Sequence, residues 1–451
     1  MKYSSGEVPK IGDLVSYKGL TLKVNQVCND CLIILCGDDG KRYGCWGSKI
    51  HDKRVKYTAK MKQLTNSQTF IYEKGQQFSL LADENRENED FLSDQIITYL
   101  GNKRSLLDFI GNALTVVQKE LGKEKLDCVD IFSGSGIVSR YLKRFSNNLY
   151  VNDLESYCKT INTCYLANKE DIDFDKLDFY FNQVIEEIKK KGLKPGFIAN
   201  LYSPKDDDCI LEGERVFYTH RNAMYIDTAR KEIEKIPEPY KTFLLAPLLY
   251  EASVHNNTSG VFKGFYKNSQ TGIGQFGGDG KNALKRIMSD IELRKPIFSN
   301  FSANVHIFQE DSNVLANKLP HSNIVYMDPP YNQHPYGSNY FMLNLINSYK
   351  KPSQTSRVSG IPLDWNKSKF NKRGSSAETM FDLCQSLDTD YLLISFNSEG
   401  FISLDEMIKM LSKLGKVQVM ETQYNTFRGS RNLDERDIHV KEYLYLVKKS
   451  K

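Results

Sequence analysis

No apolar run of roughly 18 residues occurs in this 451-residue chain, so nothing in it is able to span a bilayer as a single helix. The opening residues, Met1-Lys2-Tyr3-Ser4-Ser5, lack the apolar stretch of a secretory signal, and a cytoplasmic protein is expected. Without export, the 9 cysteines are expected as reduced thiols and not as a disulfide framework. Cys28 and Cys31 make one C-x-x-C, with Cys36 and Cys45 nearby, but a second C-x-x-C is missing. A zinc site needs four suitably arranged ligands, while cysteine also packs as a small apolar residue. Both readings of that group stay open. A strong charge of one sign is absent too. The 61 basic and 56 acidic residues leave a net charge of +5, which permits a local nucleic-acid face without demanding one. No acid/lysine cluster of a nuclease stands out in residues 1–95.

What is present is organised around Asp328-Pro329-Pro330-Tyr331. The apolar run before it, Ile324-Val325-Tyr326-Met327, predicts a buried strand. A strand ending there presents an acid, two stiff prolines and an aromatic ring where open α/β sheets bind ligands. Such a set of acceptors beside a π-face suits an exocyclic base amino group. That group is a poor nucleophile until its lone pair is drawn out of conjugation, and acceptors on its hydrogens favour this change. The bland alternative is a strand closed by a proline turn.

A second block lies upstream. Cys128–Phe132 predicts a strand, Ser133-Gly134-Ser135-Gly136 a tight turn, and Ile137–Lys143 a helix. A glycine turn between the first strand and helix is the nucleotide-cofactor position of a doubly wound fold. Here it is not G-x-G-x-x-G, which argues against a pyrophosphate-bearing dinucleotide and for a smaller ligand. The next strand, Leu149–Asp153, ends in an acid placed for ribose hydroxyls. Asp153 also reads as an N-cap for a helix over 154–167, and the two roles coexist. Before this block, Tyr99-Leu-Gly-Asn-Lys103 precedes an apolar-periodic helix from Leu106 to about Leu121.

These stretches together resemble the alpha-order adenine-N6 DNA methyltransferases, the family of the Dam methylases and the FokI- and NlaIII-type modification enzymes. Tyr99–Lys103 is similar to their first cofactor motif, and Asp130-Ile-Phe-Ser-Gly-Ser-Gly136 to their glycine loop. Asn152-Asp153 resembles their ribose-binding acid and Asp328–Tyr331 their catalytic motif. The likeness covers roughly 95–449. It implies a Rossmann-like class I methyltransferase sheet (an α/β fold) carrying an inserted, mainly helical target-recognition domain. The implied division is 96–154 and 306–449 for catalysis and 155–305 for recognition. The implied methyl donor is S-adenosyl-L-methionine. Tyr99, Lys103, Asp130, Phe132, Gly134, Gly136, Asp153, Asp311 and Asp328 are its implied binding residues, and no metal is required. Asp328, Pro329, Pro330 and Tyr331 are the implied catalytic set.

The implied activity is site-specific methylation of adenine N6 in double-stranded DNA, in the modification arm of a restriction-modification system. A cognate restriction endonuclease is then a functional partner, and a monomer suffices. The polar loop His255, Asn256, Asn257 and the basic aromatic run Lys263–Lys267 are candidates for DNA contact. Tyr336 and Asn339 resemble part of a loop over a flipped base, and Arg428 and Arg431 suit DNA backbone contact or pocket closure. An RNA or N4-cytosine methyltransferase and a catalytically inactive DNA-binding protein remain as rival readings.

Outside the likeness, short β-rich runs with an Asp39-Gly40 turn predict a small all-β, SH3-like module over 1–60. The polar stretch 61–95 reads as a solvated linker. Residues 350–377, rich in Lys, Ser, Pro and Gly, read as a mobile loop. Helical periodicity is expected over 173–191 and again within Glu212–Lys235, including Arg215–Ala223.

Overall fold

The computed structural model describes strand segments within residues 2–63 and the chain over 86–331, 333–425 and 439–450; side chains are described over 86–331, 333–422 and 441–450. Residues Met1–Asp83 and Glu84–Lys451 are separate compact units.

In the first unit, Leu14–Tyr17, Leu20–Cys28, Leu32–Gly37, Arg42–Trp46 and Lys60–Gln63 pair in that order into a five-stranded antiparallel sheet. The last strand extends this module past residue 60. Cys31, the Asp39-Gly40 turn and the side chains of Cys28, Cys36 and Cys45 lie outside the described residues, so the zinc reading falls outside them too.

The second unit is built on a seven-stranded sheet. Its strands, in chain order, are β1 (Leu126–Asp130), β2 (Ser146–Asn152), β3 (Asn304–Phe308), β4 (Ser322–Met327), β5 (Thr389–Asn397), β6 (Gly415–Asn425) and β7 (His439–Lys449). Their spatial order is β3-β2-β1-β4-β5-β7-β6. The first five run parallel, and β7 inserts antiparallel between β5 and β6. Parallel strands covered on both faces should be apolar throughout, and β4 is buried at every position. The order reverses between β1 and β4, which pair with Tyr326 opposite Asp130. A crevice opens at such a switch point, outside the carboxyl ends of the strands.

Helices cover the sheet: α1 (Leu107–Leu121), α2 (Ile137–Lys143), α3 (Ser156–Tyr165), α4 (Phe174–Lys191), α5 (Phe197–Tyr202), α6 (His220–Ile233), α7 (Tyr240–Val254), α8 (Leu284–Met288), α9 (Ser312–Leu315), α10 (Tyr336–Asn339), α11 (Phe341–Ser348), α12 (Ser376–Ser386) and α13 (Leu404–Leu411). The 155–305 insert is helical over much of its length. It packs against the sheet: Ile198, Phe217, Phe243 and Leu248 share one buried cluster with Leu126, Leu149 and Val151. α4 begins at the N-cap Asp173, whose carboxylate accepts from Lys176 N–H, and it buries Leu177, Val184 and Ile188. Arg215–Tyr218, expected within a helix, precedes α6 as bends and extended chain; the N-cap is Thr219.

Residues 86–95, expected as the end of a solvated linker, are instead tied to the core through two buried residues, Phe91 and Gln95. Phe91 is fully buried. The Arg140 guanidinium of α2 lies over its ring and donates to the carbonyls of Phe91, Asp94 and Gln95. The sequence of acids at 83–90 hides this one anchoring aromatic.

Candidate active site

A cleft of about 870 Å³, counting its space open to solvent, lies at the switch point. The carboxyl ends of β1, β2 and β4 contribute Asp130, Asp153 and Asp328 to its wall. The turn after β1 contributes Phe132, Ser133 and Gly134, and the loop before α1 contributes Tyr99–Lys103.

The glycine turn is shaped by contacts at each glycine. Gly134 has φ +49° and donates its N–H to Asp153 Oδ2 at 2.8 Å. A Cβ there would lie 2.8 Å from the Tyr99 ring, so the missing side chain lets Tyr99 close over the turn. Tyr99 is held there by stacking on Tyr336 and Tyr340, with ring centroids 4.9 and 4.7 Å away. Gly136, expected among the cofactor residues, does not line the cleft. A Cβ on it would meet Asn162 Oδ1 at 2.5 Å, and Asn162 in turn donates to Ser133 Oγ. Gly136 thus shapes the turn from behind.

The carboxylates of the cleft differ in their partners. Asp153 accepts from the N–H groups of Gly134 and Glu155, so it braces a turn; α3 starts later, at Ser156. Asp311 caps α9 through the N–H groups of Asn313 and Val314 and also lines the cleft. Asp130 takes a 2.6 Å hydrogen bond from Ser139 on one oxygen, while its other oxygen is buried and unpartnered. Burial pushes the Asp130 carboxyl up to about 7.

Asp328 is at the centre. Burial pushes its carboxyl up to about 7, against the pull of Lys103 and with the push of Glu442. Lys103 Nζ lies 3.3 Å from Asp328 Oδ1, an ion pair whose geometry falls short of a hydrogen bond. The same ammonium donates to Glu442 Oε1 at 2.8 Å. Lys103, expected against the donor, is therefore tied between two acids of its own chain. Pro330 faces the cleft, and Pro329, Pro330 and Tyr331 border a smaller hollow with Phe370, Met380 and Phe396. The Tyr331 ring meets Phe396 edge-on, 5.8 Å between centroids.

Among the described residues lining the cleft, Lys103 is the one cation, set against Asp130, Asp153, Glu155, Glu310, Asp311 and Asp328. Such a wall favours a cationic ligand with an amino group and hydroxyls. Several lining residues carried no sequence signal. Glu155 is buried and accepts from Asn344 and Asn366, and burial lifts it to about 7. Asn366, Ser368 and Asn371 come from the stretch expected as a mobile loop, which Phe370 anchors against Phe132 edge-on at 5.2 Å.

The expected DNA-contact residues divide. Lys263 and Lys267 are exposed. Asn256 and Asn257 are buried and spent on the chain itself. Asn256 donates to Ser253 O; Asn257 donates to Val216 O and accepts from Gly277 N–H. His255 is half-buried between Glu251 and Arg286 O. The two asparagines thus spend their amides on the chain's own backbone, while His255 keeps part of its ring exposed. Tyr336 is likewise built into the cleft wall, its hydroxyl donating to Leu100 O. Asn339 is 2% exposed. Arg428 and Arg431 lie outside the described residues.

Residues 99–410 match the D12 class N6 adenine-specific DNA methyltransferases. The chain belongs to this family. Among similar proteins, the type II methyltransferase M.CviAII of Paramecium bursaria Chlorella virus 1 is 30% identical over 78% of this chain and 98% of its own length. The type II methyltransferase M.NlaIII of Neisseria lactamica is 27% identical over 78% of this chain and 100% of its own. M.FokI of Planomicrobium okeanokoites is 24% identical, matching 52% of its length. The loop before α1 and the glycine turn come first, and the acid-headed tetrapeptide follows the helical insert.

Proposed function

We propose that this D12-class enzyme transfers a methyl group to N6 of adenine in double-stranded DNA, using S-adenosylmethionine, as the modification enzyme of a restriction-modification system. The observation that carries the reading is Asp328. It heads an acid-Pro-Pro-Tyr tetrapeptide at the switch point, keeps a buried oxygen without a hydrogen-bond partner, and borders an otherwise anionic cleft. The relatives' names, all of type II methyltransferases, support the restriction-modification setting.

The cleft fits the donor. Asp130 offers an unpartnered carboxylate oxygen to an ammonium group, Asp153 offers acceptors for ribose hydroxyls, and Tyr99 and Phe132 offer aromatic faces to a cation. Asp311, which also lines the cleft, is assigned to the adenine end. S-adenosylmethionine supplies there a methyl group activated by a sulfonium leaving group.

The chain's residues act on the base. The stacked duplex blocks access to the amino group, so the target adenine is swung out. Tyr331 stacks on it. Asp328 and the Pro329 carbonyl accept the two amino hydrogens, which frees the nitrogen lone pair for attack and stabilises the positive charge that develops on it. One amino proton is then released to solvent. Exposed Lys263 and Lys267 meet phosphates.

The test is incubation of purified protein with unmethylated genomic DNA and labelled donor, read by long-read detection of modified bases. Methyl on adenine within one short motif is expected. Asp328→Ala should lower turnover by at least about a hundredfold while donor and DNA still bind. Labelling of RNA and not DNA, or near-normal turnover by Asp328→Ala, overturns the reading.

A further inference from the structure

Glu442 has no place in the scheme above. It sits on β7, a strand paired on both sides, opposite Asn397 of β5 and Thr422 of β6. Its side chain is 1% exposed. A carboxylate in that position is unfavourable unless it is paired and hydrogen-bonded. Its Oε1 accepts from Ser395 Oγ at 2.6 Å and from Lys103 Nζ at 2.8 Å. Lys103 is itself 3% exposed, and the next acid in its reach is Asp328.

We infer that Glu442 is a positioning residue for methyl transfer: it holds Lys103 back from Asp328, so that an Asp328 oxygen stays open to accept the substrate amino group. This rests on the methyltransferase reading. The two ion-pair lengths carry the inference. Lys103 is hydrogen-bonded to Glu442 at 2.8 Å but only near Asp328 at 3.3 Å, and Asp328 Oδ1 is left without a hydrogen bond. With Glu442 neutral, the ammonium keeps an uncharged acceptor and the Tyr331 ring 5.9 Å away but loses one of its two counter-charges. It would close on Asp328, occupy the acceptor oxygen and weaken it as an acceptor. With Glu442 in place, the ammonium still offsets part of the negative charge, so Asp328 can ionise in a buried site.

The charged and titratable groups facing Asp328 are Lys103, Glu442, Asp130, Tyr326, Tyr331 and Tyr336. Of these, Glu442 and Lys103 act on Asp328 with opposite sign. That opposition gives a readout that a merely structural role would not move. Glu442→Gln keeps the shape and the acceptor for Ser395. It removes a repelling charge and releases Lys103 onto Asp328, so the acid limb of the kcat–pH profile should move down by about one unit. On the plateau, kcat should fall about tenfold, with the KM for DNA within about twofold of wild type. Lys103→Met should move the same limb up, because two buried acids are then left facing each other.

The experiment is the kcat–pH profile of DNA methylation by the full chain, wild type beside both variants, with donor binding measured in parallel. Opposite shifts of the acid limb support the inference. A wild-type profile in Glu442→Gln that binds donor overturns it while the function reading stands. Should Glu442→Gln not fold, an unmoved limb in Lys103→Met overturns it. A wild type that leaves DNA unlabelled overturns the function reading, and the inference falls with it.

Discussion

The acids of the cleft should make the free protein lose stability as pH rises through neutrality. Burial pushes the carboxyls of Asp130, Glu155 and Asp328 each up to about 7. In the unfolded chain these groups titrate near 4. The folded state therefore keeps protons that the unfolded state has already lost. A raised value gives stability that is fully present below the unfolded value and is lost as pH climbs through the folded one. From pH 6 to pH 8 this amounts to about 1.4 kcal/mol for each such group. Asp130 is fully buried and Glu155 is 3% exposed, so solvent screens them little. Asp328 is less enclosed, at 19% side-chain exposure, and contributes less. The assay is thermal melting of the ligand-free protein across that range, wild type against Asp130→Asn, which keeps an acceptor for the Ser139 hydroxyl and has no proton to lose. His255 also has a raised value, through its bond to Glu251, and slopes the same way, while burial lowers Lys143, to about 8, and His334, which slope oppositely, so the difference between the two proteins isolates the Asp130 share. The wild-type Tm should drop by several degrees and the variant by measurably less. A wild-type Tm that stays flat or rises, or an Asn variant with an equal slope, refutes the reasoning.

Two further predictions concern the scaffold. Gly134→Ala puts a Cβ into the Tyr99 ring on a left-handed backbone; it should destabilise the fold by about 2–4 kcal/mol and weaken donor binding at least about tenfold, and unchanged urea unfolding and donor affinity would count against the described turn. Arg140→Met strips the donor from the carbonyls of Phe91, Asp94 and Gln95; a loss of about 3–5 kcal/mol in urea unfolding is expected, and a loss under about 1 kcal/mol would mean that segment 86–95 is not anchored through α2.

Much of the sheet was legible because its strands state their environment. Ile324–Met327 is a continuous apolar run, Tyr391–Phe396 is one broken only by Ser395, and both are buried strands. The helix over Ile137–Lys143 was bounded by Gly136 and falls where expected. β3 and β6 were not visible, since each is a half-exposed edge strand with polar residues at alternate places. The acids at strand ends could be read because the termini of parallel strands have one favoured use. The polar loop at 255–257 misled for a related reason. Asparagine serves a base edge and a backbone carbonyl equally well, and only burial separates the two. The mobile-loop reading of 350–377 missed its anchors: the Tyr202 hydroxyl donates to Gly360 O, and Phe370, 4% exposed, brings Asn366, Ser368 and Asn371 to the cleft.

Glu442 shows where a pattern departs from its rule for a reason. Val440-Lys-Glu-Tyr-Leu-Tyr-Leu-Val447 reads as a strand that alternates imperfectly, and the imperfection is an acid among positions that are buried from 442 to 447. On packing grounds alone a branched aliphatic residue would be more stable there, because an apolar replacement removes the need for a partner. The chain instead keeps an acid on the last strand and a lysine before the first helix, 339 residues apart in sequence, closed into one ion pair. A local reading of either segment yields a bland result, a solvated lysine or a flawed strand. Brought together beside Asp328, they form a buried charge relay with one ammonium for two acids, and that imbalance leaves the Asp328 acceptor open. Conflicts between local pattern and global fold are expected at functional sites, so an inward-facing acid in a buried strand is worth pairing with every buried lysine before it is dismissed.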